Sequence, residues 1–149
     1  MRVVLDTNIV VSGLLWSGTP GRVLQAAQNG LFQAVASEAM IDELREVLER
    51  PKFEHRLGRV GKTCQQLLDK YLSYVDVIHV EPLEKSVSVD VDDDMFIACA
   101  LRGNAQYLVS GDPHLLDIGQ YQDVSIITAS KFLVFLSNID LDASGNQYG

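Results

Sequence analysis

Two apolar segments about a hundred residues apart each run into an aspartate. One reads Val3-Val4-Leu5-Asp6-Thr7-Asn8 and the other Tyr107-Leu108-Val109-Ser110-Gly111-Asp112. In an α/β sheet of parallel strands, side chains just past the carboxyl ends of the strands meet in a shared crevice where ligands bind. Two carboxylates delivered there from distant parts of the chain point to a site. Their mutual repulsion would raise their pKa values, and a divalent cation is the usual reason for gathering them.

Geometry sorts the remaining acids. In the helix expected after Ser37 the apolar stripe is Met40, Ile41, Leu44, Val47 and Leu48. On a wheel of about 100° per residue Glu43 lies at the edge of that stripe, whereas Asp42, Glu46 and Glu49 point toward water. Further on stands Asp90-Val91-Asp92-Asp93-Asp94-Met95-Phe96-Ile97-Ala98-Cys99-Ala100-Leu101. Acids at a helix start are favoured by the macrodipole, which accounts for two of these. Asp94 differs, because Ile97, Ala98 and Leu101 follow it on one helical face, so its carboxylate is aimed inward and needs a partner. Asp93 and Asp92 read as capping or supporting residues. Asp6, Glu43, Asp94 and Asp112 are thus expected to converge on one end of the sheet, with Asn8 and Ser110 as hydrogen-bonding supports. Taken singly, Asp6 also reads as a turn residue and Asp112, before Pro113, as a helix cap; the four together are harder to explain that way.

The elements that must hold these acids alternate. Strands are expected at 3–5, 31–36, 75–80, 105–109 and 124–127. Helices are expected at 9–15, 22–28, 38–50, 92–101 and 129–136, and in two pieces over 53–74 broken near Gly58 and Gly61. Thr19 and Pro20 suit a helix start, Asn29-Gly30 a helix end, and Ser37 a cap. The stretch 81–91, with Pro82, reads as a polar connector. This alternation predicts an α/β fold, a three-layer α/β/α sandwich on a central parallel sheet of four to five strands. One domain over 1–137 is expected, then a polar, frayed tail at 138–149.

Composition narrows the function. The 149 residues carry a formal charge of −8, unlike the basic footprint of general nucleic-acid binders. A bound metal can reverse that sign locally. Arg50, Lys52, Arg56, Arg59 and Lys62 crowd one stretch that holds a single acid, Glu54; it reads either as a solvated face or as a phosphate-contacting flank. Cys64 and Cys99 lack metal-ligand spacing and read as reduced thiols, Cys99 as packing. No apolar run approaches the ~18 residues of a membrane helix. The chain opens on a strand with no apolar leader, which favours the cytoplasm. His55, His79 and His114 are scattered, and only His114 falls near a candidate acid.

At the acids, the chain resembles the PIN-domain ribonucleases, including the VapC-type toxins of toxin–antitoxin pairs. The resemblance runs from Met1 to about Leu136. It rests on Leu5-Asp6-Thr7-Asn8, on Ser37 with Glu43-Leu44, on Asp94 before Ile97-Ala98-Cys99-Ala100, and on Ser110-Gly111-Asp112, where the family usually has threonine. It implies Mg²⁺ or Mn²⁺ on Asp6, Asp94 and Asp112, with Asp93 the alternative to Asp94 in the triple aspartate and Glu43 ligating directly or through water, and hydrolysis of RNA to a 5′-phosphate and a 3′-hydroxyl. Single-stranded or looped RNA is the expected substrate, with the basic residues of 50–62 on its backbone. A homodimer and an antitoxin partner are implied by the resemblance only. The rival reading is a non-catalytic PIN-like module that binds RNA or a protein partner. Asp6-Thr7-Asn8 lacks the second aspartate of haloacid dehalogenase phosphatases, and the strand order suits a phosphoacceptor receiver poorly.

Overall fold

The structure, a computed structural model, describes residues 1–81 and 91–148, with side chains for 1–81 and 94–139. The chain begins with β1 (Arg2–Leu5), whose Val3, Val4 and Leu5 are almost wholly buried. A continuous apolar run is what a strand covered on both faces requires. Two helices follow, α1 (Thr7–Leu15) and α2 (Thr19–Gln28), then β2 (Gln33–Ser37) and α3 (Glu38–Leu48). Ser37 caps α3, accepting from the Met40 amide at 3.2 Å. The stripe Met40, Ile41, Leu44, Val47 and Leu48 is buried throughout, and each such side chain stabilises the fold by about 1.5–3 kcal/mol. After a 3₁₀ turn come α4 (Glu54–Val60), α5 (Cys64–Leu72) and β3 (Val75–Ile78). The chain resumes with α6 (Val91–Arg102), β4 (Tyr107–Val109), α7 (Pro113–Ile118), β5 (Gln120–Tyr121), β6 (Val124–Ile127) and α8 (Ala129–Tyr148).

The sheet order is β3-β2-β1-β4-β6-β5. All neighbouring strands are parallel except β5, which runs antiparallel to β6. The expected three-layer α/β/α sandwich is present, but with six strands among the described residues rather than four or five. The additional strand, β5, is two residues long, too short to carry a hydrophobic period. From β1 the chain moves outward through β2 to β3, then returns across to β4 on the opposite side of β1. That reversal is the switch point at which parallel α/β sheets open a crevice.

Helices cover the sheet. α6 packs on β1, β2 and β4, α1 packs on α2 and α3, and α2 packs on α8. Phe132 of α8 is fully buried and meets Phe32 edge-on, ring centroids 5.0 Å apart. Several boundaries differ from expectation. Gly18 rather than Thr19 occupies the α2 cap position. Gly58 lies inside α4, and only Gly61, at φ 73°, ends it. The third strand stops at Ile78. The last helix continues past Leu136, where no proline or glycine intervenes before Gly145. Most of the connector expected at 81–91, residues 82–90, lies outside the described residues. No helix among the described residues is long and apolar enough to cross a membrane.

Candidate active site

Strand register builds the centre of the site. Leu5 is paired with Val109 across β1 and β4, and the Asp6 amide donates to the Val109 carbonyl at 3.1 Å. Asp6 and Ser110 therefore leave the sheet side by side. The Ser110 hydroxyl donates to Asp6 Oδ2 and accepts from the Asp112 amide, the latter at 2.9 Å. One buried hydroxyl thus joins both aspartates of the sequence motif.

Each aspartate is also a helix cap. Asp6 Oδ1 accepts from the Ile9 amide at 2.9 Å at the start of α1. Asp112 Oδ1 accepts from the His114 amide at 2.9 Å at the start of α7. The cap and site readings do not exclude each other, since a carboxylate has about four lone-pair positions and a cap bond takes one. Asp6 is only 4% exposed. Burial pushes its carboxyl above the ordinary 3.8, the bonds from Ser110 and the Ile9 amide oppose that rise, and the charge of Asp112 adds to it.

Glu43 reaches the site from α3. It is half-buried, and Oε2 accepts from the Thr7 hydroxyl at 2.5 Å. Thr7, itself buried, locks α1 to α3 beside Asp6. Its role was not read from the sequence, although a hydroxyl directly after the strand-ending aspartate was the available signal. Asp94 is buried in the first turn of α6, the inward aim its spacing predicted. Asp92 and Asp93 have backbone in α6, but their side chains lie outside the described ones. Asn8 is exposed, and the described contact of His114 with the site is through its backbone.

The basic stretch is not a uniform flank. Arg56 Nε donates to the Leu15 carbonyl at 2.6 Å, and its guanidinium lies 5.3 Å from the Trp16 ring centroid. It therefore closes the far end of α1, about 13 Å along that helix from the Asp6 end. Lys52 stands 5.1 Å from the Phe53 ring centroid. Arg50, Arg59 and Lys62 are exposed and in no ion pair among the described residues.

The donor set suits a hard divalent cation. Its atoms are carboxylate oxygens, and Asp6 carries charge that burial and Asp112 both make unfavourable. Among the described residues no three His, Cys, Asp or Glu side chains lie grouped closely enough to hold a metal ion by themselves. Mg²⁺ does not require such a group, because it is usually held by one or two carboxylates and fills its remaining positions with water and substrate oxygens.

Three comparisons place the chain. No curated protein matches it in sequence. In structure it is similar to a chain of VapBC2 from Rickettsia felis, solved bound to a DNA fragment from its promoter. The TM-score is 0.56 at 18% identity, covering 85% of this chain and 97% of that one. The PIN domain of human SMG5 matches with a TM-score of 0.48 at 15% identity, covering 89% of this chain and 96% of that one. The family model described as PIN domain matches residues 2–114, a span holding Asp6, Glu43, Asp94 and Asp112 together. The chain belongs to the PIN-domain family.

Proposed function

We propose that the protein is a metal-dependent endoribonuclease acting on single-stranded or looped RNA. The observation that carries this reading is the juxtaposition of β1 and β4, which sets buried Asp6 and the Asp112 turn on one hydroxyl, Ser110. Asp6, Asp94 and Asp112 would hold Mg²⁺ or Mn²⁺, with Glu43 ligating directly or through water. Bound there, the ion supplies Lewis acidity toward the phosphodiester and a water more acidic than bulk. The protein's own part is positional. Ser110 and the Ile9 amide fix both oxygens of Asp6, so its carboxylate needs no reordering when substrate arrives. Thr7 orients Glu43 toward the same crevice, where it can accept a hydrogen bond from the attacking water. Asn8 and Asp93 would serve as supporting residues. The products are a 5′-phosphate and a 3′-hydroxyl.

A toxin role countered by a protein antitoxin, and a homodimer as the acting form, rest on the sequence resemblance to VapC-type toxins; the likeness to a VapBC2 chain supports the fold. An antitoxin would insert an apolar segment and a cation, neutralising the acids. The test is cleavage of a mixed single-stranded RNA pool by wild type and Asp6→Asn, with Mn²⁺ or EDTA. Cuts that need both metal and Asp6 are expected. RNA that is held in EDTA but never cut with metal overturns the enzyme reading in favour of a binding module.

A further inference from the structure

Away from the carboxylates, a cavity of about 120 Å³ opens between the α1–α2 pair and the α4–α5 segment. Leucines of α1, α2 and α5 form its floor, and Lys62, Lys70, Gln25, Gln28 and Tyr74 stand around it. The chain has 12 lysines and arginines against 20 acids. Two lysines on one cavity, neither in an ion pair among the described residues, are therefore notable. Asp69, beside Lys70 in sequence, is hydrogen-bonded to Gln65 at 2.7 Å. No carboxylate is among the residues lining the cavity, so the two ammonium groups present positive charge there to an anion. The other polar groups can donate as well. Gln25 and Gln28 carry amide donors, and the Tyr74 phenol is a hydroxyl donor at neutral pH. The volume is well below the roughly 300–1,000 Å³ of cofactor-sized pockets. It suits a fragment such as one phosphate with part of its nucleotide.

Position connects this cavity to the acids. Gly13 and Leu14, near the end of α1, line it, while Asp6 caps the start of the same helix. About 10 Å of helix lies between the two, a distance that a short single strand can span. We infer that the cavity is a phosphate subsite, in which Lys62 and Lys70 clamp one backbone phosphate of a single-stranded RNA whose scissile bond lies at the carboxylate crevice. This rests on the ribonuclease reading and adds where the substrate is gripped.

The test is fluorescence anisotropy of labelled single-stranded RNA with the full chain, in EDTA and across a salt series. Wild type is compared with Lys62→Gln/Lys70→Gln and with a charge-matched control, Arg102→Gln/Lys131→Gln, at residues that do not line the cavity. Loss of one clamped phosphate makes the log–log salt slope shallower by about 0.7. Affinity falls roughly tenfold at low salt. In cleavage assays KM rises and kcat holds. The control changes neither slope nor KM. Equal effects in the two double variants, or none in either, overturn the subsite while wild-type cleavage still supports the nuclease. If wild type neither binds nor cuts RNA, both readings fall.

Discussion

Ser110→Ala tests the physical heart of the site. The side chain is wholly buried, and its oxygen serves Asp6 Oδ2 and the Asp112 amide at once. A hydrogen bond to an ionised partner contributes about 1.5–3 kcal/mol, against about 0.5–1.5 for a neutral pair. Asp112 is half-buried, so its amide can find water, and the Asp6 bond dominates the loss. The expected cost is about 2–3 kcal/mol while Asp6 is ionised, and it shrinks as falling pH protonates the carboxylate. For a chain of this size the full cost lowers Tm by ~4–12 °C. The assay is thermal unfolding by circular dichroism in EDTA, repeated in an Asp6→Asn background. There the same substitution removes only a neutral bond, so its cost falls by about 1 kcal/mol, the coupling a double-mutant cycle reads. An equal cost in both backgrounds would refute the claim that Ser110 stabilises a charged Asp6. RNA cleavage by Ser110→Ala is expected to fall about 10–100-fold, the usual effect of losing a group that orients a metal ligand.

Thr7→Val removes the donor to Glu43 while keeping shape; cleavage is expected to drop about 10–100-fold, and unchanged cleavage would show that Glu43 needs no such support. Asp6→Asn addresses pH. A carboxyl whose folded pKa is raised by burial gives stability that is fully present below the unfolded value of 3.8 and is lost as pH rises through the folded value. In EDTA, Asp6→Asn is therefore expected to melt above wild type at mildly alkaline pH, with the gap closing as pH falls toward 3.8; a variant melting below wild type throughout would contradict this. Two glycines should respond oppositely to alanine. A Cβ on Gly13 would lie 2.6 Å from Leu24 Cδ1 and 2.9 Å from the Pro20 carbonyl oxygen, whereas one on Gly58 meets nothing within 4 Å. Gly13→Ala is expected to destabilise by about 1–3 kcal/mol through overpacking. Gly58→Ala should stabilise by up to about 1 kcal/mol through helix propensity, and denaturant midpoints of the two variants check the pair.

The places of the acids at strand ends and on helix faces were legible because each carries local evidence of its direction. Asp6 and Asp112 end apolar runs, and Asp94 heads an apolar helical face. Glu43 sits at the edge of a stripe that the structure buries in full. What the sequence concealed was mostly relational. Thr7 is an ordinary helix-start residue until α3 is packed against α1. Arg56 looks like one more cation of a basic run, yet its fork is taken by the Leu15 carbonyl and its charge by Trp16. Strand β5 escaped because two residues have no period, and it exists through the β6 edge that pairs with it. Gly58 was misread as a break because glycine is permissive, and a helix can absorb it at about 1 kcal/mol.

The bond between Ser110 and Asp6 spans 104 positions of the chain. A ribosome must therefore deliver the whole of β4 and the turn after it before the two aspartates can face each other. At about 5–20 residues per second, roughly 5–20 s separate the emergence of Asp6 from that of its partners. Long-range pairing of this kind is also intrinsically slow to form. A nascent chain thus carries its first strand for seconds without the second aspartate that β4 brings beside it. Any chemistry that needs both aspartates therefore waits until synthesis has passed β4.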